Sequence, residues 1–134
     1  MYEKILVPLD GSELAEEALP YAEKLSARLG SEVMIIHVSE FVQGPSDRIH
    51  QFYIQKIVDA TRQGTEECST RFGKGSDIRV QSEILSGIPA EKIVEYAAKE
   101  GVGLVVIATH GRSGFSRWSL GSWRTMRPFG LLRR

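Results

Sequence analysis

The chain has 134 residues, 42% of them hydrophobic, which is enough for one globular domain with a buried core. Its 17 basic and 17 acidic residues cancel, which excludes the basic excess of a general nucleic-acid binder. A single cysteine excludes an internal disulfide and a cysteine zinc site, and no stretch approaches the ~20 apolar residues of a membrane span.

Met1 leads directly into Tyr2-Glu3-Lys4 with no apolar leader, so a cytoplasmic protein is expected. Lys4–Leu9 is short and apolar and reads as a buried strand, ended by Asp10-Gly11-Ser12. Apolar residues then recur at Leu14, Ala18, Leu19, Ala22, Leu25 and Leu29, the stripe of a helix. Pro20 is expected to kink that helix and Gly30 to cap it. Val33–Val38 is the second buried strand. A loop with Gly44-Pro45 leads to a long helix from about Asp47 to about Phe72. Its expected inner side carries Ile49, Tyr53, Ile57, Ala60, Gly64 and Cys68. Ile78–Leu85 alternates and reads as a strand near a sheet edge. Pro89 opens another helix, with Ile93, Val94 and Ala97 facing inward and Gly101 and Gly103 closing it. Leu104–Ala108 is the fourth strand.

The order β-α-β-α-β-α-β predicts an α/β fold built on a single doubly wound parallel sheet of the Rossmann-like kind. Four strands are secure and a fifth is shortened or altered. The whole chain, 1–134, reads as one domain with an atypical segment at 123–134. Ligands of such sheets sit beyond the carboxyl ends of the strands, where the winding reverses. If the first and fourth strands are neighbours, Asp10 and the segment after Ile107 share one crevice.

That segment, "ATHGRSGFSRWSLGS" from Ala108 to Ser122, is rich in glycine, serine and arginine. The last acidic residue is Glu100, and six of the 17 cations follow it: Arg112, Arg117, Arg124, Arg127, Arg133 and Arg134. Phosphate needs converging N–H donors with no side chains in the way. Gly111 and Gly114 would allow that approach, and Gly121-Ser122 stands where a capped helix would begin. Arg112 and Arg117 suit phosphate oxygens. A glycine-rich surface loop fits the same spacing equally well. The pattern is neither a Walker A loop nor G-x-G-x-x-G. Asp10 suits ribose hydroxyls or an adenine amino group, and equally suits a helix cap. His110 stands at the mouth of the crevice without a nucleophile beside it. His37 reads as a core or strand-end histidine, His50 as a helix-surface residue, Trp118 as packing and Cys68 as an apolar helix-face residue. No set of metal ligands can be named.

Together "KILVPLDGSELAEEAL", "EVMIIHVSE", "GIPAEKIVEYAAKEGVGLVVIATHGRSG" and "LGS" resemble the universal stress protein family, over Lys4 to Ser122. Its ATP-binding branch carries a glycine, two residues, a glycine, nine residues, then glycine and serine or threonine. The matching stretch here runs Ala108, Thr109-His110, Gly111, Arg112 to Leu120, and Gly121-Ser122, departing at Ala108. The resemblance implies a site for ATP, ADP or AMP, with or without Mg. Pro8, Leu9 and Asp10 would lie by the adenosine and Val38 would line the adenine pocket. Ile107 and Ala108 would pass beneath the ribose. His110, Gly111, Gly121 and Ser122 would surround the phosphates, near Arg112 and Gly114. It also implies a homodimer and a stress-response or signalling regulator with at most weak ATP hydrolysis. The family continues into a full helix and a fifth apolar strand, which commonly builds its dimer contact. The continuation here is "WRTMRPFGLLRR", broken by Pro128 and Gly130. Natural variation, truncation and a changed reading frame all fit this end. The expectation is no full helix or strand after Trp123, an exposed edge on the fourth strand, and a weakened dimer.

Two function classes follow. One is a non-enzymatic nucleotide-binding regulator; the other is a nucleotide-free protein acting through an unknown protein partner. The loop spacing favours the first, while Ala108 and the short tail favour the second. A nucleotidyl-transferring enzyme ranks last, since the loop offers no catalytic lysine or paired carboxylates.

Overall fold

The computed structural model describes residues 3–9, 13–39, 46–71, 79–107 and 130–133. The elements are β1 (Lys4–Leu9), α1 (Glu13–Glu16), α2 (Leu19–Leu29), β2 (Glu32–Ser39), α3 (Ser46–Arg71), β3 (Val80–Ser86), α4 (Pro89–Glu100), β4 (Leu104–Ile107) and β5 (Gly130–Arg133). The strands form one sheet in the order β3-β2-β1-β4-β5, and every pairing is parallel. This is the doubly wound arrangement that alternating strands and helices predict.

The central strands explain the unbroken apolar runs. Ile5, Leu6, Val7 and Leu9 of β1 are all fully buried, as are Val33, Ile35 and Ile36 of β2. A strand covered on both faces has no polar side to alternate with. Right-handed crossovers from β1 to β2 and from β2 to β3 set α2 and α3 side by side on one face, where they pack together. The return from β3 to β4 carries α4 across the other face. There Ile93 and Ala97 are fully buried, as the helical stripe predicts. Lys4 Nζ lies 3.5 Å from Glu100 Oε2, tying the start of β1 to the end of α4. β3 stands at one edge of the sheet, as expected, but Gln81, Ser82 and Glu83 are exposed in succession instead of alternating with buried residues.

Three expectations need correction. The expected kinked helix over 14–29 is two helices, α1 and α2, separated by a turn at Glu17-Ala18. Pro20 has no N–H to donate back to Glu16, so it stands in the first turn of a new helix, where that donor is not needed. The second correction concerns the inner face of α3. Ile49 and Ala60 are exposed, and the buried line is Ile54, Val58, Thr61, Thr65 and Ser69. Three hydroxyl residues serve there as small packing groups. Thr65 Oγ1 donates back to the Thr61 carbonyl at 2.8 Å, a bond that costs no outside partner. The third correction concerns the tail. Gly130–Arg133 forms β5, in register with β4 from Leu104–Gly130 to Ile107–Arg133. The outer side of β4 is therefore paired, because four backbone units suffice for a short parallel ladder even beside a glycine. The strand is shortened, as the sequence predicts, but present.

Candidate functional site

β1 is flanked by β2 on one side and β4 on the other, so the winding reverses at the β1–β4 boundary. The two boundaries are not alike. Against β2, the pairing of β1 runs without a break from Lys4–Glu32 to Leu9–His37. Against β4, it consists of Ile5–Leu104 and Leu6–Val105. Beyond that point β1 continues to Leu9 and β4 to Ile107, so both strands run past their shared ladder at the carboxyl edge. Pro8 lies in this stretch and brings no N–H to a ladder, an unusual residue for a central strand. The ladder at the switch point is therefore short, although the two strands stay side by side.

Three apolar side chains stand at that edge. Leu9 is fully buried, and Val38 and Ile107 are nearly so. Pro8 is buried as well. The structure thus brings Pro8, Leu9, Val38 and Ile107 to the carboxyl ends of three adjacent strands, as sequence reading expects. Asp10, Ala108, His110, Gly111, Arg112, Gly114, Gly121 and Ser122 lie outside the described residues. So do Arg117 and Trp118.

Next to Val38, the His37 side chain is buried, in keeping with a core histidine. Its ring meets Tyr53 of α3 edge-on, with centroids 5.9 Å apart and planes at 65°. The Tyr53 hydroxyl also acts on the carboxylate of Glu16 on α1. Burial, and then the neighbouring charge of Glu13, hold the Glu16 carboxyl above its ordinary pKa, while the nearby Tyr53 hydroxyl works in the opposite direction. Glu16 and Tyr53 link the helix after β1 to the end of β2, and sequence reading assigned neither a role here. The signal for Tyr53 was its polar tip on an apolar stripe. Among the described residues, no three His, Cys, Asp or Glu side chains gather as a metal site requires. No helix among them is long and apolar enough to cross a membrane.

The universal stress protein family model matches residues 1–123. The chain belongs to the universal stress protein family. Universal stress protein MJ0531 of Methanocaldococcus jannaschii is 30% identical over 125 residues, 91% of this chain and 73% of that one. Universal stress protein YxiE of Bacillus subtilis is 31% identical over 131 residues, covering 91% and 88%. A universal stress protein from Archaeoglobus fulgidus, solved in complex with dAMP, shares the fold with a TM-score of 0.71 at 18% identity, over 98% of this chain and 97% of that one. Another universal stress protein, solved in complex with cAMP, has a TM-score of 0.63 at 18% identity, over 99% and 97%. The Rossmann-like sheet is thus common to this chain and to universal stress proteins that hold adenine nucleotides.

Proposed function

We propose that this chain binds an adenine nucleotide, ATP or a shorter relative, at the carboxyl ends of β1 and β4, and acts as a cytoplasmic stress-response or signalling regulator. The observation that carries this reading is the switch point itself: β1 lies between β2 and β4, and Leu9, Val38 and Ile107 stand at the carboxyl edge of these three adjacent strands. An opening at the carboxyl edge of a doubly wound sheet is where such folds take nucleotides. Leu9, Val38 and Ile107 make the layer beneath that edge apolar, which would suit a flat base better than a free ion. Two solved family members held as nucleotide complexes support the same ligand class.

In this reading Val38 and Ile107 hold the base and ribose and Asp10 accepts from the ribose hydroxyls. The backbone amides of Gly111, Gly121 and Ser122 then meet the phosphates, with His110, Arg112 and Gly114 around them. Ala108 adds one methyl beneath the ribose. The nucleotide supplies phosphate charge and a hydrogen-bonding base, and its occupancy is the signal passed to a protein partner. The whole chain works as one domain and, when it pairs, as a weak homodimer. The nucleotide-free reading rests on Ala108, where the family pattern has glycine.

Thermal unfolding with and without ligand separates the two. A ligand that binds only the native state stabilises it by about 2.7 kcal/mol at a hundred times Kd. Millimolar ATP, ADP or AMP, with or without Mg, is expected to raise the melting temperature, and Gly121→Val to abolish the rise. No shift with any of the three would leave the nucleotide-free reading standing.

A further inference from the structure

α2 and α3 pack side by side, and Gly64 is the point where α3 makes room. A Cβ placed on Gly64 would stand 2.5 Å from Cδ and 2.6 Å from Oε1 of Glu23, so the carboxyl end of that flexible side chain would have to swing aside. The missing side chain is therefore a notch, and the Glu23 carboxyl fills it. This gives a packing reason for a glycine in the middle of a helix, where it weakens the helix relative to alanine. Glu67 follows Gly64 by three residues, on the same side of α3.

We propose that Glu23, Gly64 and Glu67 form a proton-operated catch between α2 and α3, tight when Glu23 carries a proton and loosened when both carboxylates are charged. The geometry brings a carboxyl group into a partly desolvated seam with a second carboxylate as its neighbour. Both features favour the neutral acid. Burial, and after it the Glu67 charge, raise the Glu23 pKa to about 7.

The other charged groups near the seam are engaged elsewhere or exposed. On α3, Lys56 lies over the Phe52 ring and Arg62 pairs with Asp59, while Arg48 and Glu66 are exposed. Cys68, half-buried, is the next residue after Glu67. On α2, Lys24 and Arg28 are exposed. Of the strands beneath α2, β1 brings Lys4, which pairs with Glu100. β2 brings His37, set against Tyr53, and Glu32, which acts on Tyr96.

An unfolded glutamate loses its proton near 4.5, whereas the folded chain holds this one to about 7. Between those values the folded form binds more protons, so stability falls as pH rises. The contribution is complete below about 4.5 and is lost once pH has passed about 7.

Carboxyl 13C NMR on the full chain reads the Glu23 titration directly. Urea unfolding between about pH 5 and about pH 8 reads its effect on stability. The Glu23 midpoint is expected near 7. It should fall in Glu67→Gln, and in Gly64→Ala if that variant folds. The urea midpoint of the unaltered chain should drop with rising pH relative to Glu23→Gln. An ordinary Glu23 midpoint near 4.5 would overturn the proposal. So would urea midpoints of the two proteins that stay a constant distance apart across the range.

Discussion

Single side chains differ widely in how far their chemistry shows in the sequence. Thr61 and Thr65 share the buried line of α3, one turn apart. Thr65 Oγ1 has a hydrogen bond to the Thr61 carbonyl, while Thr61 Oγ1 is buried with no partner among the described residues. An unmade hydrogen bond in the interior is costly, and its removal costs nothing. Thr61→Val is therefore expected to leave stability unchanged or raise it by up to about 1 kcal/mol. Thr65→Val is expected to lower it by about 0.5–1.5 kcal/mol. Urea midpoints that rank the two variants in the opposite order would contradict this. Hydroxyl residues on a helix read as polar, so the sequence alone turned the inner face of α3 toward Ile49 and Ala60. Leu9, Val38 and Ile107 were legible because an apolar residue closing an apolar strand has only one sensible place. Glu23 was not legible, because its surroundings depend on how closely α3 approaches α2.

At the level of elements, the turn chemistry carried most of the information. Gly30 ends α2 at φ +70°, and Gly101 ends α4 at φ +66°. A Cβ at Gly30 would meet nothing within 4 Å, so a side chain there meets only the backbone penalty. Gly30→Ala is expected to cost about 1–2 kcal/mol, and Gly30→Asn less, since asparagine tolerates the left-handed region. Equal stability of Gly30→Ala and the unaltered chain would show that the cap contributes nothing. Both glycine caps were readable from position alone. Pro20 was also read as a disruption, but its extent was underestimated. The hydrophobic stripe continues across Ala18 and Leu19, and periodicity cannot reveal that the chain restarts rather than bends. The shortened β5 was expected but its pairing was not: Leu131-Leu132 is too brief to show a pattern, and pairing with β4 is what makes it a strand.

For the whole molecule, the doubly wound parallel sheet followed from β-α alternation, while association did not. β5 spans four residues, below the five or six of a typical strand. An interface built along it would bury little, and Arg133 and Arg134 would meet their counterparts across a twofold axis. Sedimentation equilibrium at micromolar concentration is expected to show a loose, concentration-dependent association. A tight dimer lost on deletion of 130–133 would refute this. The place of β1 in the sheet also governs the course of folding. β1 is made early, yet Ile5 pairs with Leu104, about a hundred residues downstream. β1, β2 and β3 with α2 and α3 can assemble from the first 86 residues, before β4 exists. Until the closing partner arrives, the β4-facing margin of Ile5, Leu6 and Val7 is a bare, apolar template. Distant parallel pairings close slowly because a long loop must be ordered first. The same margin that receives β4 in the finished protein is thus a hazard during synthesis, when a neighbouring nascent chain can take the position reserved for β4.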